Sequence, residues 1–167
     1  MNLKTIDLEI ELTSLGTNTN TTDWPLSNWL TTFPLVLVVL DPYTEESARI
    51  LHTAQRIMLH YKEANCRTCW LLTCDADGAQ RFLGPWTKDQ ITFVDPDRNV
   101  INELGLEYLP AFMLIRQDGT IAASTEGWHP SEWRTVAEAI SHLTKWTRPI
   151  VGTESDPQPY RGTPSQI

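Results

Sequence analysis

Behind Pro34 runs an unbroken apolar stretch, Leu35-Val-Leu-Val-Val-Leu40, which stops at Asp41-Pro42 and leads straight into a helical pattern. A β-branched run this short reads as a strand buried on both faces. Ile50, Leu51, Ala54, Ile57, Met58 and Tyr61 then recur at helical spacing, which predicts a helix over about 45–62. Thr44 stands where a cap belongs, and Glu45 and Glu46 suit the positive end of the helix dipole. Residues 69–75 form a second buried strand. Two buried strands joined by one helix must lie parallel with a right-handed crossover, and helices must cover both faces of their sheet. This unit alone commits the chain to the α/β class.

The remaining segments extend that sheet. Ile6, Leu8, Ile10 and Leu12 alternate with polar residues, which predicts an N-terminal strand over 5–12. Residues 13–23 read as a loop, and residues 24–33 hold a short helix capped by Asp23. A short helix follows over 77–83, a strand over 91–94, and a helix over about 97–104, capped from the Asp95-Pro96-Asp97 turn and ended by Gly105. A strand over 111–116 turns at Gln117-Asp118-Gly119 and returns over 120–125. The last helix opens at Pro130, with Trp133, Val136, Ala137, Ile140 and Leu143 as its apolar stripe. Residues 1–148 thus form one domain. Residues 149–167, rich in Pro, Gly, Ser and Thr, are expected to be an extended tail without strand or helix. Removal of residues 153–167 is expected to move the melting temperature by a few degrees at most.

At 167 residues the chain can bury one substantial core. A net charge of −8, with no basic run, disfavours nucleic acid and anionic lipid as partners. The first residues lack the basic-then-apolar pattern of a secretory signal, and no apolar stretch is long enough to span a membrane. Three cysteines, an odd number, do not form a disulfide framework, so a reducing cytoplasm is the expected compartment.

The order β, β-α-β, α, β-hairpin, α, with Pro110 placed just before the hairpin, resembles the thioredoxin-like superfamily. Three segments carry the likeness: Leu35–Leu40 leading through Asp41-Pro42-Tyr43 into the long helix, residues 105–115, and Gln117-Asp118-Gly119-Thr120 with Glu126-Gly127-Trp128 behind it. The N-terminal strand and residues 24–33 are more similar to the redoxin and TlpA-like branch. The resemblance covers residues 24–146 and implies a central mixed sheet flanked by helices. It also implies that Pro110 is cis and that Leu109 touches whatever binds. The family's reactive C-x-x-C belongs at the start of the first long helix, where this chain has Thr44, Glu45, Glu46, Ser47 and Ala48. Catalysis at that position is therefore expected to be lost. Tyr43, Thr44, Glu45, Leu109, Pro110 and Trp128 would then form an exposed, partly apolar edge for a protein partner.

Cys66 and Cys69 have C-x-x-C spacing, with Arg67 between them to favour a thiolate. They lie beyond the long helix, away from any helix N-terminus. Two readings stand: buried structural thiols, or a displaced thiol–disulfide site. His52, His60, His129 and His142 make no zinc spacing with the cysteines, so no metal and no cofactor are expected. Asp75, Asp77, Asp95 and Asp97 stand at strand ends, where they either cap helices or hold a cation.

Overall fold

A computed structural model describes residues 3–17 and 20–166. In chain order the elements are β1 (Glu11–Leu15), β2 (Thr21–Pro25), α1 (Leu26–Trp29), β3 (Leu35–Leu40), α2 (Glu45–His60), β4 (Arg67–Leu72), α3 (Ala76–Leu83) and β5 (Ile91–Val94). They continue with α4 (Asn99–Leu104), β6 (Tyr108–Leu109), β7 (Ala111–Ile115), β8 (Ile121–Glu126), α5 (Pro130–Thr144) and β9 (Thr163–Pro164). A 3-10 turn over Gly84–Lys88 joins α3 to β5.

Seven strands make one mixed sheet in the order β2-β1-β5-β4-β3-β7-β8. The β3, β4 and β5 strands are parallel, and the other pairings are antiparallel. Alternation along β3 divides the core. Val36, Val38 and Leu40 face α2 and α5 beside Trp70, Phe112, Ile57 and Trp133. Leu35, Leu37 and Val39 face the opposite way beside Cys69, Phe93, Met113, Ile101 and Leu26. Successive side chains of a strand point to opposite faces, so one six-residue run feeds both layers.

The N-terminal expectation is corrected. Residues 6–10 are not a strand; Thr5 makes an isolated bridge to Thr120, and Ile6 is buried in the second layer. The strand begins at Glu11 and turns back into β2 within the expected loop. Asp23 does not cap α1. Its carboxylate accepts a 2.6 Å hydrogen bond from the Thr13 hydroxyl across the hairpin, and Pro25 occupies the cap position. The alternating apolar residues pin an irregular segment over the helix layer, while the hairpin's own strands are too polar to announce themselves. Helix α4 also starts later than expected, after Arg98, which adopts the left-handed conformation with φ 61°.

Candidate functional site

Where β3 ends, Asp41 organises the start of α2. Its carboxylate accepts the Tyr43 N–H at 3.1 Å and pairs with the Arg98 guanidinium at 3.2 Å, both side chains being almost wholly buried. The Asp41 N–H donates to the Ser47 hydroxyl at 2.9 Å. The Thr44 hydroxyl donates to the Asp41 carbonyl and accepts the Ser47 N–H, so the expected cap is present. Glu45 is exposed and pairs with Arg49 one turn on. A hydroxyl and two carboxylates thus occupy the positive end of α2, with no group there able to act as a nucleophilic thiolate.

The second wall is built on Pro110, whose peptide bond with Leu109 is cis. The Glu126 carboxylate accepts the N–H groups of Glu107 and Tyr108 at 2.6 and 2.7 Å, and the Pro110 carbonyl accepts the Gly127 N–H at 2.7 Å. Trp128 stands edge-on to Trp133, which stacks on Phe112 at 4.6 Å. The Trp133 indole N–H donates to the Gly127 carbonyl.

The sequence places these residues at one open edge; in the structure the start of α2 and the Pro110 turn are joined through Arg98 and the C-terminal segment, and they do not form an open patch. Tyr43 is 73 % exposed, whereas Leu109 and Trp128 are fully buried and Pro110 is buried with them. The C-terminal segment covers them. Trp128 and Tyr160 exchange both main-chain hydrogen bonds, at 2.7 and 2.9 Å, and the Trp128 indole donates to the Pro157 carbonyl at 2.7 Å. Thr163–Pro164 pair antiparallel with Tyr108–Leu109 as β9, so the expected strandless tail does contain a strand. Ser165 donates through its N–H to the Glu107 carbonyl and through its hydroxyl to the Leu106 carbonyl. Arg98 donates to the Ser165 carbonyl, joining this cover to Asp41.

Asp156 anchors the segment upstream. It accepts from Arg56 through both oxygens, at 2.7 and 3.0 Å, from the Thr53 hydroxyl, and from the N–H groups of Gly152 and Thr153. Burial opposes its ionisation, but the Arg56, Thr153 and Thr53 hydrogen bonds outweigh burial and hold the carboxyl well below its ordinary range. A depressed folded pKa contributes stability that is full above the unfolded value, about 4, and fades as the pH falls below it. Asp156→Asn therefore costs about 1–2 kcal/mol at pH 7. Melts of both chains at pH 7, 4 and 3 check this, with the gap between them closing as the pH falls.

Sequence reasoning missed Arg98, Asp41 and Asp156 as organisers of this edge. The available signals were a proline-flanked aspartate after a buried strand and an aspartate just behind the isolated Gly152.

Cys66 and Cys69 lie elsewhere. Cys66 belongs to the α2/α5 layer and Cys69 to the opposite one, both buried and free. Burial pushes the Cys66 thiol up to about 11 and the Cys74 thiol to about 12, and it raises Cys69 further still. Asp75 caps α3 through the Gly78 N–H, and Asp95 accepts the Ile101 N–H in α4. Among the described residues no three His, Cys, Asp or Glu side chains are grouped to hold a metal ion, and no helix is long and apolar enough to cross a membrane.

No family model and no curated protein matches the chain. Solved structures do. A protein described as a thiol:disulfide interchange protein DsbE, from Chlorobium tepidum, is 16 % identical, with 86 % of this chain and 99 % of that one covered, at a TM-score of 0.66. A PrxQ mutant from Xylella fastidiosa is 15 % identical over 86 % and 98 % of the two chains, at 0.66. AhpC of Enterococcus faecalis is 14 % identical over 87 % and 96 %, at 0.65. Likeness at such identities carries over architecture and not chemistry. The chain therefore has the thioredoxin-like fold, a central mixed sheet of seven strands flanked by helices.

Proposed function

We propose that this chain is a binding module on the thioredoxin-like fold, without thiol–disulfide catalysis, that takes a protein partner at the edge between the start of α2 and Pro110. One observation carries the proposal: the positive end of α2 is filled by the Thr44 cap, Glu45 and Glu46, while all three thiols are free and buried. A helix N-terminus lowers a thiol's pKa, whereas burial in an apolar layer raises it. At all three thiols here burial is the largest influence, and at Cys74, beside the start of α3, the Asp75 and Asp41 carboxylates raise the thiol further. Tyr43 offers an exposed aromatic ring at the rim of the edge. Net charge of −8 favours a protein partner over nucleic acid or an anionic membrane. Three free thiols suit the reducing cytoplasm.

The displaced dithiol reading has little support, because Cys66 and Cys69 serve opposite faces of the sheet. Purified protein is expected to reduce insulin disulfides and consume peroxide no faster than a protein-free control. At pH 7.5 a thiol reagent should label the native chain at least 100-fold more slowly than the urea-unfolded chain. Insulin turnover abolished by Cys66→Ser together with Cys69→Ser would overturn the proposal.

A further inference from the structure

Residues 157–165 meet the edge as a ligand would, through main-chain atoms and ring faces. Between Pro157 and Pro164 every residue is exposed or half-buried, and Ser165 is the first buried one. Contact is nonetheless specific. The Tyr160 hydroxyl donates to the Glu46 carbonyl in the first turn of α2, and the Arg161 guanidinium lies 4.2 Å from the centre of the Tyr108 ring. At Gly162, with φ 95°, a Cβ would stand 2.4 Å from the Leu109 carbonyl oxygen, so two backbones touch where no side chain fits. Three residues on, Ser165 satisfies the carbonyls of Leu106 and Glu107 and is held by Arg98.

We propose that residues 157–165 are a releasable cover that fills the partner edge in cis, so that binding there requires the cover to leave. The ligand that replaces it is an extended peptide of the same chemistry: an aromatic residue, a glycine two positions later and a serine three beyond that, matching Tyr160, Gly162 and Ser165. This rests on the reading of the edge as the partner site. The segment is shallow and joined mainly by hydrogen bonds, which places it among the parts of a protein that open without global unfolding. Its pairing with β6 is strand addition to a free edge, a mode that an external peptide can reproduce.

The test uses the full chain and a fluorescein-labelled peptide of residues 157–167. Gly162→Val forces the cover off the edge. Fluorescence anisotropy is expected to show the peptide binding this variant at least 50-fold more tightly than the unaltered chain, and a peptide bearing the same Gly→Val change should not bind. In the unaltered chain, amide exchange at Tyr160 and Ser165 is expected to be at least 100-fold faster than in β3. Equal affinities, or a variant that is folded by circular dichroism and binds nothing, would overturn the cover. Should the variant fail to fold, the exchange measurement decides: protection at Tyr160 equal to that of β3 makes the segment a fixed part of the core. Insulin turnover by a variant that binds the peptide would uphold the cover and remove the non-catalytic reading. A folded, catalytically silent variant that ignores the peptide removes the cover alone.

Discussion

A chain ending at Gly152 melts on the order of 10–15 °C below the full-length protein. The segment it lacks contributes little apolar area, so the loss comes from polar groups. Asp156 no longer neutralises Arg56 or engages Thr53, and Arg98 loses the Ser165 carbonyl. Hydrogen bonds to charged groups are worth roughly 1.5–3 kcal/mol each. Uncovering Trp128 and Leu109 adds about 1–2 kcal/mol. The conformational freedom regained by the missing residues offsets part of this gross loss, and a net near 4 kcal/mol, at about 2–4 °C per kcal/mol for a chain of this size, corresponds to roughly 8–16 °C. Calorimetry of the two chains measures it, and a drop under about 4 °C would mean that the anchors hold nothing. The sequence predicts the smaller effect, because it weighs the segment by apolar content alone.

Asp41→Ala is the costliest single change expected at the edge, at about 3–5 kcal/mol. It strands the Arg98 guanidinium, whose side chain is 9 % exposed, with the Ser165 carbonyl as its remaining partner, and it leaves the Tyr43 N–H without its acceptor. A chain carrying Asp41→Leu and Arg98→Met together should recover most of that loss, since an apolar pair avoids burying an unpaired charge. Urea titrations of the single and double variants separate the two outcomes. A double variant as unstable as the single one would locate the cost in the Tyr43 turn rather than in the ion pair.

These two changes mark where legibility in the sequence ends. The apolar runs of β3 and β4, the stripes of α2 and α5 and the Gln117-Asp118-Gly119 turn are strong periodic signals, and the sheet's parallel centre follows from them. Thr44 is legible as a cap because its chemistry acts on residues three positions away. The β1–β2 hairpin is not, since its polar strands lie at the sheet's margin and carry no alternation. Arg98, Asp41, Asp156 and Ser165 are illegible for another reason. They are polar residues that meet partners 57 to 103 positions distant, and only the folded chain shows that they are buried. The sequence groups Tyr43, Leu109, Pro110 and Trp128 at one exposed edge, but the exposure of that edge depends on a segment without periodicity.

That distance along the chain also has a meaning in time. During synthesis, residues 153–165 leave the ribosome after every element to which they are fastened, α2, β6 and the Gly127-Trp128 turn included. Domains generally begin to fold as they emerge, at about 5–20 residues per second. A nascent chain that has reached α5 already holds the sheet, while Trp128 and Leu109 still face water. On the proposed reading of this edge, a partner present at the site of translation would, for an interval on the order of a second, meet no competing segment.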